Sequence, residues 1–161
     1  MRVLGVDPGS VRTGVAVADD ELRIALPLRT LTHRGLAQAV RQLAEIVANE
    51  HAEQVVIGLP LSLDGRDGDA ARKARRFAAE LSAYVGATVV MWDERMSSVS
   101  AERALRTLGL PGRERRRVVD QAAAALILQS YLDQGREHTW HEDELEKAPA
   151  AVAPAKRVRR R

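Results

Sequence analysis

Three acidic positions in this 161-residue chain sit where a carboxylate can do chemistry. Asp7 follows the apolar run Val3-Leu4-Gly5-Val6, and an acid at the end of a buried strand is costly unless something cationic compensates it. Asp93 and Glu94 follow a second apolar run, Thr88-Val89-Val90-Met91-Trp92. Asp120 precedes Ala122-Ala123-Ala124-Ala125, small side chains that let a helix approach a sheet closely. Three carboxylates brought together would repel one another and raise their pKa values. A divalent cation resolves that conflict, and oxygen-only ligands select Mg2+ or Mn2+ over zinc. The chemistry such a centre suits is phosphodiester hydrolysis, with two ions about 3.5–4 Å apart activating water and stabilising the leaving oxygen. The chain has no G-x-S-x-G, no H-E-x-x-H and no Walker loop ending in Lys-Ser/Thr to suggest other machinery.

Each acid also has a plainer reading. Asp7-Pro8-Gly9 is good turn sequence, and Asp120 suits the first turn of a helix through the helix dipole. Asp93 and Glu94 alternate in direction along an extended segment, so one of the two can face Asp7.

The elements that must position these acids follow from hydrophobic patterning. Strand-like runs at 2–7, 14–19 and 22–30 are close enough to form an antiparallel meander. Leu36, Ala39, Val40, Leu43, Ile46 and Val47 recur at helical spacing over 35–50. Val55-Val56-Ile57 reads as a buried strand closed by Gly58 and Pro60, and residues 61–68 have turn chemistry. A helix over 69–85, a strand over 88–92 and a helix over 98–108 capped by Ser97 or Ser98 come next. A break over 109–117 and a last helix over 118–133 complete the order, with Asp120 in that helix's opening turn. Alternating strands and helices imply right-handed crossovers and parallel pairing. The strands ending at Asp7, Gly58 and Trp92 then share one carboxyl edge, where open α/β sheets place their sites.

Composition bounds the remainder. The length suits one domain, with 45% apolar residues for a core and no cysteine for disulfides or thiolate metal sites. No run approaches the roughly 18 apolar residues of a membrane span. The start lacks a signal-peptide pattern, so an intracellular, cytoplasmic protein is expected. The net charge of +3 resides in the end of the chain: Lys156-Arg157-Val158-Arg159-Arg160-Arg161 holds five of the 25 basic residues. Residues 1–135 are nearly neutral and form the expected domain; 136–161 read as an acidic, then Ala/Pro-rich, then basic extension, mobile and suited to polyanions.

Four ordered stretches carry a family resemblance. Asp7-x-Gly9-x-x-Arg12-x-Gly14 resembles the opening motif of the YqgF/RuvX family. Val56 to Gly65, Asp93-Glu94-Arg95-Met96-Ser97-Ser98-Val99-x-Ala101-Glu102, and Asp120-x-Ala122-Ala123-x-x-x-Ile127-Leu128-Gln129-x-Tyr131-Leu132 are similar to its second, third and fourth motifs. The resemblance spans residues 1–133 in order and at family spacing. It implies an RNase H-like fold: a mixed five-stranded sheet, three antiparallel strands followed by parallel ones, flanked by helices. It also implies a Mg2+- or Mn2+-dependent endonuclease, Holliday junction resolvase-like or maturing the 5′ end of pre-16S rRNA. Its metal-binding and catalytic acids map to Asp7, Glu94 and Asp120, which selects Glu94 over Asp93. Asp93, Ser97 and Ser98 become supporting residues; the serines stand where many members carry Thr-Thr.

Arg12 is placed either to position a scissile phosphate or to pair with Asp7. Arg72 and Arg76, in a basic cluster with Lys73 and Arg75, are candidate phosphate contacts, as is Arg95 beside Glu94. So are Arg115, Arg116 and Arg117 ahead of Asp120. Branched DNA and precursor rRNA both remain open as partners, and symmetric cutting of a four-way junction would require a homodimer. Two other readings stand beside the nuclease. One is a non-catalytic, nucleic-acid-binding ribosome-assembly factor. The other is an actin-like phosphate- or ATP-binding module, for which one lobe leaves half the pocket missing.

Overall fold

The computed structural model describes residues 1–19, 21–96 and 113–134. Five strands form one sheet: β1 (Arg2–Pro8), β2 (Arg12–Asp19), β3 (Ile24–Thr32), β4 (Gln54–Leu59) and β5 (Thr88–Asp93). Their order is β3-β2-β1-β4-β5; β2 pairs antiparallel with β1 and β3, and β4 pairs parallel with β1 and β5. This is the mixed sheet the resemblance implies. Helices α1 (Leu36–Asn49) and α2 (Asp69–Tyr84) join the parallel strands, and α3 (Arg113–Gln134) ends the described chain. Pro27 lies on the outer strand β3, where the pairing slips between Val15 and Ala16, so its missing N–H interrupts no central ladder.

Three differences from the sequence reading have physical causes. β2 starts two residues earlier than expected and β3 is shifted two residues along, to 24–32, because the β2–β3 ladder runs from Arg12↔Thr32 to Asp19↔Ile24. Arg113–Arg117 are helical, where a break over 109–117 was expected. Arginine and glutamate are strong helix formers, and the breakers Pro111 and Gly112 lie just outside. Asp120 therefore sits in the third turn of α3, so the helix-dipole argument for it does not apply. The expected helix over 98–108, Ser97, Ser98 and the extension 136–161 lie outside the described residues, as do the side chains of Arg115, Arg116 and Arg117. Among the described residues no helix is long and apolar enough to cross a membrane.

The sheet's two faces are built differently. Leu4, Val6, Val15, Val55 and Ile57 point toward α1 and α2, packing with Val40, Leu43, Phe77 and Leu81. Val3, Ala16, Ala18, Val56 and Trp92 point the other way, onto Ala124, Ile127, Leu128 and Leu132 of α3. Strand alternation then puts Gly5 and Asp7 on the α3 face with Val3, and Gly58 there with Val56.

Candidate functional site

Asp7 pairs across the β1–β2 ladder with Gly14, and residues directly opposite share a face. Gly14 is where α3 touches that ladder. A Cβ built on it would stand 2.0 Å from the Asp120 carbonyl oxygen, so only a hydrogen leaves room for the helix backbone. The helix is thus seated with Asp120 beside the strand pair that carries Asp7. Gly5 makes a second close contact, against Leu128 and the Ala124 carbonyl.

Glu94 arrives from the other side. Gly58 on β4 pairs with Trp92 on β5. After Asp93 the chain turns into a short 3-10 helix, Glu94–Met96. A Cβ at Gly58 would lie 2.5 Å from Glu94 Oε1 and 2.6 Å from Ile127 Cδ1, so the missing side chain makes the space the Glu94 carboxylate occupies. Glu94 is only 2% exposed. Backbone register and two glycines thereby bring Asp7, Glu94 and Asp120 to one end of the sheet on its α3 face, though they lie 87 and 26 residues apart in sequence.

The charges in this region are partnered. Arg12 Nε donates to Asp120 Oδ2 at 2.7 Å, across 108 residues of sequence. The sequence reading offered Asp7 as a carboxylate partner for Arg12; the structure gives it Asp120. Asp93, buried at 5% exposure, receives the Arg95 backbone N–H at 2.9 Å and its guanidinium Nη2 at 2.6 Å. The Asp93 carboxylate pushes the Arg95 pKa further up. Asp7 and Glu94 also make polar contacts. Among the described residues, no three His, Cys, Asp or Glu side chains are gathered as one metal centre.

The basic cluster of α2 divides in the same way. Arg72 pairs with Asp69, and Arg75 with Asp67 at 2.7 Å. Lys73 Nζ reaches Ser10 Oγ in the β1–β2 turn at 3.3 Å. Arg76 is exposed on the helix. The loop after β4 is held by Ser62, Asp64 and Arg66, whose hydrogen bonds, chiefly from the Arg66 side chain, hold the Asp64 pKa down to about 2. Its Gly65 lies under the Arg95 guanidinium.

Several positioning residues escape a search for acids. Trp92 Nε1 donates to Ser130 Oγ at 3.1 Å, and its ring meets Tyr131 edge-on at 5.5 Å. Gln129 accepts from the Ala25 N–H and donates to the Arg23 carbonyl, tying α3 to the start of β3. Gln129 and Tyr131 stand within the fourth motif; their spacing from Asp120 is the signal that could have flagged them. Gly58 likewise stands within the second.

Comparison with known proteins is decisive at the level of family. Residues 1–134 match the model of the RuvX family, described as Holliday junction resolvase. The chain belongs to the RuvX family. A protein of Anaeromyxobacter dehalogenans strain 2CP-C named "Putative pre-16S rRNA nuclease" is 47% identical over 133 residues, 83% of this chain and 97% of that one. One of the same name from Chloroflexus aggregans is 43% identical over 134 residues, 83% and 94% of the two chains. Among solved structures, Thermus thermophilus RuvC in complex with a Holliday junction substrate superposes with a TM-score of 0.55 at 16% identity, over 84% of this chain and 96% of that one. Fowlpox virus resolvase with Holliday junction DNA gives 0.50 at 12% identity, covering 83% and 98%. At these identities the likeness establishes the fold, which is RNase H-like.

Proposed function

We propose that this RuvX-family chain is a metal-dependent endonuclease acting on structured nucleic acid, with Asp7, Glu94 and Asp120 as its catalytic carboxylates. The observation that carries the reading is the seating of α3 on Gly14, which sets Asp120 beside the β1–β2 pair bearing Asp7 while Gly58 admits Glu94. Family membership and the relatives' names support nuclease chemistry. Relatives at 43–47% identity are named for pre-16S rRNA, whereas the resolvase neighbours at 12–16% share the fold alone. Precursor 16S rRNA is therefore the first substrate to test, and a four-way DNA junction the second.

The donor set fits Mg2+ or Mn2+. It is all oxygen, and the gap over Gly58 admits the Glu94 carboxylate beside the Ile127 Cδ1 methyl. Asp7, Glu94 and Asp120 would hold such ions, which would supply a nucleophilic water and stabilise the leaving oxygen, giving 5′-phosphate and 3′-hydroxyl ends. Glu94, held in the buried gap beside Ile127, is a pre-oriented ligand; Asp7 stands partly exposed near the end of β1. Arg95, clamped by Asp93, sets its guanidinium over Gly65 in the loop after β4, and Lys73 beside Ser10 extends positive charge onto the hairpin. These cations align the phosphate backbone without reading sequence.

The test is a side-by-side cleavage assay with labelled precursor 16S rRNA, a four-way DNA junction and single-stranded DNA, each with Mg2+ and with Mn2+. Precursor rRNA should be cut by the wild-type chain. Asp7→Asn should bind it as the wild type does in metal-free buffer and cut nothing when metal is added. An Asp7→Asn chain that cuts at the wild-type rate would remove the proposed site. Wild-type binding without cutting of any of the three would favour the assembly-factor reading.

A further inference from the structure

The Arg12–Asp120 pair occupies a carboxylate that the proposed reaction needs. Arg12 begins β2, opposite Thr32 of β3, and Gly14 two residues on touches the Asp120 backbone. The pair is thus built between two elements already in contact, with side-chain exposures of 32% and 22% that leave it open to solvent ions and to a polyanion. Other arginines at this edge hold carboxylates outside the proposed ligand set: Arg95 holds Asp93, Arg72 holds Asp69 and Arg75 holds Asp67.

A guanidinium and a hard dication compete for the same carboxylate. Arg12 Nε–H on Oδ2 at 2.7 Å leaves Asp120 only Oδ1 for Mg2+ or Mn2+, and sets a positive charge beside the ion that it would hold. Arginine also matches phosphate, its planar fork taking two oxygens at once. A phosphate entering beside the β1–β2 turn offers Arg12 a second anion and frees Asp120.

We infer that Arg12 is a positioning residue that couples metal loading to nucleic-acid docking: it holds Asp120 in the resting chain and passes to a substrate phosphate on docking, which releases Asp120 to the ion. The inference rests on the metal-dependent reading above. Such coupling is reciprocal, so the ion strengthens docking by the factor by which docking strengthens ion binding.

The experiment is a Mn2+ titration of the full chain without nucleic acid, followed by electron paramagnetic resonance, for wild type, Arg12→Gln, Asp120→Asn and the double variant. Arg12→Gln should bind Mn2+ about 5–150-fold more tightly, the usual range for coupled sites. Asp120→Asn should weaken Mn2+, and in its presence Arg12→Gln should gain nothing. An independent readout uses the wild-type chain: Mg2+ should shift the Arg12 Nε–Hε resonance, assigned by its loss in Arg12→Lys. Equal Mn2+ affinity in wild type and Arg12→Gln, or an Arg12 resonance unmoved by Mg2+ that binds elsewhere in the spectrum, overturns the coupling and leaves the metal reading standing. No Mn2+ binding by any of the four chains overturns the metal reading itself.

Discussion

The two faces of the sheet show what packing can be used for. Toward α1 and α2 the strands present Leu4, Val6, Val15, Val55 and Ile57, all fully buried, against Leu43, Phe77 and Leu81. Toward α3 they present Val3, Val56 and Trp92 with Gly5, Gly14, Ala16, Ala18 and Gly58 set between them. The first face fills volume with branched side chains and holds the helices off at side-chain distance. The second removes side chains, so that α3 lies against the strand backbones and carries Asp120 to a set place. The large face is a source of stability, and the small face is a jig for the site.

That contrast breaks most plainly if the large face proves to matter for chemistry. Leu43→Ala removes a fully buried side chain from the α1 cluster and should cost about 2–5 kcal/mol in chemical denaturation, while the folded fraction cleaves at the wild-type rate. A large loss of rate per folded molecule would erase the distinction. On the small face, Gly14→Ala drives a methyl into the Asp120 carbonyl and should cost about 1–3 kcal/mol. Here cleavage should fall much further than the folded fraction, because α3 must lift. Gly58→Ala meets only the flexible ends of Glu94 and Ile127, so its stability cost belongs at the low end of the same range, about 1 kcal/mol. Its cleavage should still collapse as Glu94 is displaced; thermal melts paired with single-turnover rates check both variants.

The smallest effect sharpens the boundary between the faces. His33 is buried at the end of β3, its Nε2 2.9 Å from the hydroxyl of fully buried Thr13, and burial lowers its pKa below 6.5. The unfolded chain then binds the extra proton more readily. This contribution to stability is full above pH 6.5 and is lost as pH falls toward the folded-state pKa. Melting temperature should drop between pH 7 and pH 5, and His33→Gln should flatten that slope. A slope identical in the variant would remove His33 from the account.

Much of this was legible in the sequence, for reasons that differ by residue. Asp7 and the Asp93-Glu94 pair stood out because acids at the ends of apolar runs contradict local patterning, and Asp120 because it precedes an alanine run; the family resemblance, not spacing, selected Glu94 over Asp93, and the strand order followed from element alternation. Gly58 was read as a strand terminator and Gly14 as the first residue of a strand-like run. Their function as gaps depends on what faces them across the sheet, which no local window encodes. The Arg12–Asp120 pair spans 108 positions and depends on how α3 is rotated over β2, so spacing left Arg12 open between phosphate and Asp7. The start of α3 was missed because Gly109, Pro111 and Gly112 drew the boundary too late, past arginines that favour helix.

The most direct test of the central claim is a crystal structure of the chain grown or soaked with Mn2+ and measured at the manganese edge. The account predicts an anomalous peak bounded by the carboxylates of Asp7, Glu94 and Asp120, on the α3 face above Gly58. Manganese bound elsewhere, with those three side chains uninvolved, would contradict it.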